Sequence, residues 1–210
     1  MENKLNHRIE KLIGGIQIQN RLRNGIGTLA CIVFDIDSGK PMGLTNKHIL
    51  RRSIGKPVIQ PAAKPHTNEF IIGHVYKKSS TQDCAIFEIN EILRNYDRDD
   101  SLFGLTGRIS EFIEPYEGLE VQKIGQKTGR TFGVVKKLLS KNKFIIIPNK
   151  EKQNPLYEIS EGGDSGALWV TDETNFKAVG LHTGGERGSA KDKAWAIKIS
   201  SVLHDLNIRF

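Results

Sequence analysis

Three side chains in this sequence have the types and order needed to make a hydroxyl attack a carbonyl carbon. Ser165 lies in Gly162-Gly163-Asp164-Ser165-Gly166, and His48 in Gly43-Leu44-Thr45-Asn46-Lys47-His48-Ile49-Leu50. Asp83 opens the apolar run Asp83-Cys84-Ala85-Ile86-Phe87-Glu88-Ile89. A serine hydroxyl is a weak nucleophile until a base takes its proton. An imidazole can do so near neutral pH, and a carboxylate behind it orients the ring and stabilises the imidazolium. Ser165 is therefore the candidate nucleophile, His48 the candidate general base and Asp83 the candidate orienting group. Glycines around Ser165 permit a tight turn and close approach of a carbonyl. The N–H groups of Gly163 and Ser165 can then converge on an oxyanion, where losing one donor costs about 3 kcal/mol of barrier. Singly, each residue has an ordinary explanation: Gly, Asp and Ser dominate turns, a lone histidine is commonly just a packed one, and Asp83 follows the turn-like Ser79-Ser80-Thr81-Gln82. The three together, each beside a β-type apolar run, carry the expectation.

Holding these groups requires many short strands. Leu5, Ile9, Leu12 and Ile13 recur at helical spacing, and Gly14-Gly15 would end that helix. From Gly27 the period changes: Thr28-Leu29-Ala30-Cys31-Ile32-Val33-Phe34 reads as a buried strand and Asp37-Ser38-Gly39-Lys40-Pro41 as a turn. Further strands are predicted near residues 43–45, 58–60, 70–76 and 85–89. After a connection at Glu111–Gly118 they continue near 120–124, 130–139, 144–148, 157–159, 167–170, 178–182 and 194–199. Ile199, Val202, Leu203 and Leu206 keep the spacing of a closing helix. The expected fold is all-β: two six-stranded antiparallel barrels with short N- and C-terminal helices. The expected division is an N-terminal helical extension over 1–23, a first barrel over 24–112 carrying His48 and Asp83, a second over 113–200 carrying Ser165, and a C-terminal helix over 201–210.

Composition sets outer limits. The 210 residues are 38% hydrophobic and 26% charged, ordinary for a chain with a packed core, and 21 glycines fit a turn-rich all-β design. No apolar stretch approaches the roughly 18 residues that cross a bilayer, and Met1-Glu2-Asn3-Lys4-Leu5 lacks the apolar run of a secretory signal. Cys31 and Cys84 are expected as reduced core residues, which suits a cytoplasmic location. No Cys-x-x-Cys occurs, and His66 and His74 have no third ligand at metal-binding spacing, so no metal site is expected. The net charge of +7 is spread over Arg21-Leu22-Arg23, Arg51-Arg52, Lys77-Lys78, Lys136-Lys137 and Lys141-Asn142-Lys143. Dispersed charge of this kind is a solvated surface, with acidic substrates the sharper reading. Nucleic acid is not an expected partner: aromatic residues are only 7% and do not interleave with the basic clusters. Gly125-Gln126-Lys127-Thr128-Gly129-Arg130 is too short for a phosphate-binding loop. Gly163-Asp164-Ser165-Gly166-Ala167 lacks the last glycine of an α/β-hydrolase elbow.

The motifs resemble those of trypsin-like serine peptidases of the chymotrypsin fold. Leu44-Thr45-Asn46-Lys47-His48 resembles their histidine motif, Asp83-Cys84-Ala85-Ile86 their aspartate motif, and Gly163-Asp164-Ser165-Gly166 their serine motif. Val121 to Val135, with Gly125-Gln126-Lys127-Thr128-Gly129-Arg130 at its centre, is similar to the first hairpin of the second barrel in bacterial members. Gly14-Gly15 followed by Gly27-Thr28-Leu29 resembles a non-secreted branch that includes the plant Narrow Leaf-type proteases. The likeness runs from about residue 14 to 199. It implies two barrels, peptide-bond hydrolysis through an acyl-enzyme, a protein or peptide substrate and no cofactor. A catalytically silent peptide-binding module on the same fold is the alternative. Two departures stand out. Ile49 replaces the cysteine that follows the histidine in digestive members. The spacing from Leu12 to Cys31 is also short for a zymogen, in which a newly cut N-terminus would pair with the equivalent of Asp164. The sequence leaves the partner of Asp164 open.

The same resemblance assigns a primary pocket. Val179-Gly180-Leu181-His182-Thr183-Gly184-Gly185 is similar to the strand that lines it, with Thr183 against the buried aspartate, and Ile159 and Ser160 fall near its floor. No acid stands there, so selection of Lys or Arg is not expected. Gly-aliphatic-His-X-Gly-Gly appears in glutamate-specific bacterial proteases and in viral cysteine proteases that read glutamine. His182 therefore points to Glu or Gln at the cleaved position.

Overall fold

Strands are the main regular element of the computed structural model, which describes residues 7–20, 25–51, 54–62, 70–92, 94–97, 101–140, 142–186 and 193–210. The elements are β1 (Lys11–Leu12), β2 (Gln17–Asn20), β3 (Ile26–Thr28), β4 (Ile32–Asp35), β5 (Pro41–Thr45), the one-turn helix α1 (Lys47–Leu50), β6 (Pro57–Ile59), β7 (Ile71–Lys78), β8 (Ala85–Ile89) and β9 (Asn95–Tyr96). They continue with β10 (Ile109–Phe112), β11 (Glu120–Gly125), β12 (Gly129–Leu138), β13 (Lys143–Pro148), β14 (Leu168–Thr171), β15 (Phe176–Gly185), β16 (Ala194–Lys198), helix α2 (Ile199–Leu206) and β17 (Ile208–Arg209).

The first large sheet runs β17-β4-β5-β8-β7-β6-β2-β3. β3, at one edge, and β4, next to the other edge, are the two arms of one run of chain. Between them, Leu29 exchanges backbone hydrogen bonds with Gly15 and Ile16, while Ala30 bonds Leu44, so the sheet curls back on itself. In the second half, β15-β14-β11-β12-β13-β16 closes into a six-stranded antiparallel barrel through the β15–β16 pairing. The fold is thus the expected all-β one.

Alternation along the strands gives the second barrel two working faces. Val121, Phe144, Ile146, Trp169, Val179, Ala194 and Ala196 fill its interior. Leu168, Val170, Ala178, Leu181 and Ile197 face the other way and pack with Leu29, Leu44, Ile86 and Phe87 of the first sheet. One continuous apolar seam therefore joins the two halves, and the loops at its edge are held from both sides.

Several local expectations change. From His7 to Ile13 the described chain is not helical, and Leu12 is buried in β1, paired in parallel with β9. The spacing of Ile9, Leu12 and Ile13 matches a helix, but tertiary packing decides: all three rest on the first core. Leu5 and residues 21–24 lie outside the described residues, as do Arg52, His66 and Lys141. Residues 17–20 form β2, a member of the first sheet rather than part of an extension. β10 pairs in parallel with β15, so the second sheet recruits chain from Ile109 onward. No strand forms at residues 157–159. Ile159 is buried in the second core while Tyr157 is 68% exposed, and the backbone between them is irregular. The closing helix starts at Ile199, ends at the left-handed Asn207 (φ 57°), and hands on to β17, which pairs with β4 of the first sheet.

The strand that leads to His48 depends on a close fit. Gly43 of β5 pairs across the sheet with Phe87 of β8, and the fully buried Phe87 ring occupies the space where a Cβ of residue 43 would sit. Gly43→Ala is expected to lower stability by about 1–3 kcal/mol through overpacking, read as a fall in thermal midpoint, whereas Gly162→Ala, with open space around it and a φ outside the left-handed region, is expected to cost less.

Candidate active site

His48 does not end a strand. β5 stops at Thr45, Asn46 caps α1 with extended backbone (φ −76°, ψ 149°), and His48 sits inside that single turn. Both oxygens of Asp83 hold it: Oδ2 lies 2.6 Å from His48 Nδ1, and Oδ1 accepts the His48 backbone N–H at 2.9 Å. Asn46 Nδ2 in turn donates to the Asp83 carbonyl at 2.8 Å. Burial works to raise the Asp83 pKa, but the hydrogen bonds and charge of His48 and the nearby Lys47 outweigh it, so the carboxyl titrates below its usual range. The turn before Asp83 is fastened from the C-terminus. Asp205 of α2 accepts from Ser79 Oγ, and from Thr81 Oγ1 and Gln82 Nε2 at 3.3 Å each.

The loop carrying Ser165 is clasped to the first half by Thr28. Its N–H donates to the Ser165 carbonyl at 2.8 Å, and its hydroxyl donates to the Gly163 carbonyl at 2.9 Å. Thr45, three residues before His48, donates its hydroxyl to the Thr28 carbonyl at 2.8 Å. One residue thus ties the serine loop to the strand that delivers the histidine. Gly166 (φ 95°) completes the clasp, because a side chain there would collide with Thr45 and the Thr28 backbone. Gly163 also takes a left-handed value, φ 116°. Neither the Gly163 nor the Ser165 N–H has a hydrogen-bond partner among the described residues. Ser165 Oγ donates to the Thr183 carbonyl at 3.5 Å, and no hydrogen bond joins it to His48.

Asp164 answers the question that the sequence left open. Its partner is Lys123, at 3.0 Å from Oδ2, with both side chains at 0% exposure. Thr128 Oγ1 (2.7 Å), the N–H groups of Lys127 (3.0 Å) and Thr128 (3.1 Å), and the Glu161 N–H (3.2 Å) complete the carboxylate's shell. Burial opposes ionisation of Asp164, but Lys123 and these donors hold it down at about 2. Lys123 lies 5.5 Å from the Trp169 ring centroid, a cation–π distance. Lys123 was not singled out from the sequence, yet a signal was present: it is in phase with the inward-facing Leu119 and Val121. A lysine in an inward position of a barrel strand demands a buried acid.

The pocket residues also assemble. His182 is buried, with Nε2 at 2.7 Å from Ser160 Oγ and Nδ1 accepting from Trp169 Nε1 at 3.3 Å. An indole N–H can only donate, so Nδ1 is the acceptor and Nε2 carries the hydrogen toward Ser160. Burial, aided by the charge of Lys123, pushes the His182 pKa down to about 3. Thr183 Oγ1 donates to the Trp195 carbonyl at 3.2 Å, and Gly185 packs beside Ser160. Ile159 belongs to the second core beneath them.

No family model and no curated protein matches this chain. Solved structures do. A Nocardiopsis protease superposes with a TM-score of 0.67 at 18% identity, covering 95% of this chain and 98% of its own. Cellulomonas bogoriensis chymotrypsin gives 0.68 at 16% identity, with 95% and 98% coverage. A serine protease described as glutamic acid specific, using a histidine triad in substrate binding, gives 0.70 at 19% identity, with 94% and 99% coverage. The neighbours are bacterial proteases of the chymotrypsin fold, and that is the fold of this chain.

Two tests follow. Lys123→Met leaves the Asp164 carboxylate buried without its cation and is expected to cost about 3–5 kcal/mol, read by chemical denaturation. His182 has a folded pKa below its unfolded 6.5, so the unfolded chain binds the extra proton and stability falls as pH drops from 6.5 toward 3. Asp164, with a folded pKa depressed from 3.8 to about 2, withdraws its own share as pH falls from about 3.8 toward 2. His182→Gln is expected to flatten the 6.5-to-3 limb of a stability–pH curve; an unchanged limb would mean that His182 is already protonated in the folded protein.

Proposed function

We propose that this chain is a serine endopeptidase. The observation that carries the reading is the two-point grip of Asp83 on His48, which fixes the ring through Nδ1 and leaves Nε2 for a proton transfer. Ser165 gives its proton to His48 Nε2 as Oγ bonds to the scissile carbonyl carbon. The carbonyl electron pair moves onto oxygen, where the unpartnered N–H groups of Gly163 and Ser165 receive it. Asp83, held ionised, stabilises the imidazolium. His48 then protonates the leaving amine, the C–N bond breaks, and water attacks the Ser165 acyl-enzyme by the same route. For this, the Ser165 hydroxyl exchanges its long contact with Thr183 for one with His48, a rearrangement common when substrate arrives. That contact is also what favours the second reading, a silent module that holds a peptide in the same cleft.

In this reading Ile159, Ser160, His182, Thr183, Gly184 and Gly185 receive the side chain at the cleaved position, which is Glu or Gln. His182 spends its Nε2 hydrogen on Ser160, freeing the Ser160 hydroxyl proton for a substrate oxygen. The pocket supplies hydrogen bonds without formal charge, which favours the Gln amide over an ionised Glu. The glutamic acid specific neighbour is described with a histidine triad; here the partners of His182 are Trp169 and Ser160. A cytoplasmic, reducing location is part of the proposal, and Cys31 and Cys84 are buried free thiols compatible with it. The substrate is a protein or peptide, and the mechanism needs no cofactor.

Intact mass after a serine-reactive fluorophosphonate tests the reading. One adduct on Ser165, absent in Ser165→Ala and at least about a hundredfold slower to form in His48→Ala, is the expected result. No adduct on folded native protein would favour the silent module. Among peptides differing only at the cleaved residue, Gln is expected to be cut fastest; Ala or Phe cut best would overturn the pocket assignment.

A further inference from the structure

A cleft of about 1140 Å³ opens beside His48, lined by Lys47, His48, Arg51, Ile54, Lys78, Ser79 and Asp83. Its charge is lopsided. Three of its residues are cations, and among the described residues none of Lys47, Arg51 and Lys78 has a salt-bridge partner. The single lining carboxylate, Asp83, has both oxygens committed to His48. Asp205, which hydrogen-bonds to the lining residue Ser79, is also engaged by Thr81 and Gln82. Lys47 spends one hydrogen on the Ser79 carbonyl at 2.8 Å. Lys78 titrates below its usual range, through partial burial and the charge of Lys47, as expected of cations crowded without a counter-ion. Ile54, 58% exposed, adds an apolar surface at the rim.

We propose that this cleft is a substrate subsite for carboxylate side chains, so that the favoured substrates are acidic peptide segments bracketing the scissile bond. The inference rests on the endopeptidase reading for its biological sense, but the binding it asserts does not require catalysis. Bringing an acidic side chain here satisfies cations that the fold leaves unmatched, within a few ångströms of the proposed base. Ionised partners across such a cleft steer encounter and add affinity that salt weakens. A peptide suits the cleft better than a nucleic acid strand, since among the described residues its lining has no Phe, Tyr or Trp for a base to stack on and its one ring, the His48 imidazole, is held by Asp83.

The test uses Ser165→Ala protein and two fluorescent peptides identical except that Glu replaces Gln at the positions two to four residues on either side of the cleaved residue. Binding is read by anisotropy at low and at high salt. The acidic peptide is expected to bind about tenfold tighter at low salt, with the advantage lost at high salt and in the Arg51→Gln and Lys78→Gln variants, but kept in Lys136→Gln on the exposed face of β12. Equal affinity for the two peptides overturns the proposal. So does an advantage that survives Arg51→Gln and Lys78→Gln, or tighter, competing binding of single-stranded nucleic acid. Fluorophosphonate labelling of native protein, run alongside, separates the outcomes: failed labelling with a retained acidic preference removes the peptidase reading and leaves a cleft that binds acidic peptides.

Discussion

An ion pair sealed from water sets the shape of the serine loop. Lys123 and Asp164 meet inside the second barrel at zero exposure, where an unpaired charge on either would be prohibitive. The pair therefore dictates where residue 164 must be, and the chain on either side follows. Five donors converge on one carboxylate, from Lys123, Lys127, Thr128 and Glu161. Gly125 passes so close to Asp164 that no side chain fits between them. With Asp164 pinned, Ser165 meets Thr28 of the first half, and its N–H and that of Gly163 have no hydrogen-bond partner among the described residues. The Asp164 carboxylate is thus satisfied by donors that all come from the second half of the chain.

The second constraint is mechanical coupling between halves. Thr28 bonds to Gly163, Ser165, Gln126 and Thr45 through four separate groups or lone pairs. β17 returns the C-terminus to β4, and Asp205 on α2 steadies the turn before Asp83. Histidine and aspartate are carried by the first half of the chain and serine by a loop of the second; Thr28 and Thr45 tie that loop to the strand before His48, and α2 steadies the turn before Asp83. Misplacement by a single ångström is costly in catalysis, so cross-ties of this density are what such a site needs.

Much of this was legible in the sequence, and the reasons for the failures are physical. Short β-branched runs between glycines gave most of the strands, and the glycine-rich serine segment was recognisable because its backbone demands are local. The pairing of His48 with Asp83 was readable as a pattern of residue types. What sequence could not rank was competition. Ile9, Leu12 and Ile13 satisfy helical spacing, but the same side chains can cover the first core from an extended chain, and they do. Residues 157–159 look like a strand, yet no neighbouring edge is open to them once β15 and β16 pair to close the barrel. Lys123 required knowing which face of β11 turns inward. Its period with Leu119 and Val121 carried that information, but only the presence of a buried acid makes the choice intelligible.

The same lysine links the serine loop to the pocket. Lys123 lies against Trp169, whose indole N–H fixes the tautomer of His182, whose remaining hydrogen goes to Ser160. Along this chain the one full positive charge is neutralised by Asp164 at its far end, so what reaches the pocket is an oriented row of dipoles. Such a row discriminates by hydrogen-bond direction rather than by charge. The formal positive charge near the site lies elsewhere, at Lys47, Arg51 and Lys78 beside His48. On the proposed peptidase reading, two tasks that a trypsin-like pocket combines would be separated: a neutral pocket around His182 for one side chain, and a basic cleft beside His48 for the charged segment around it.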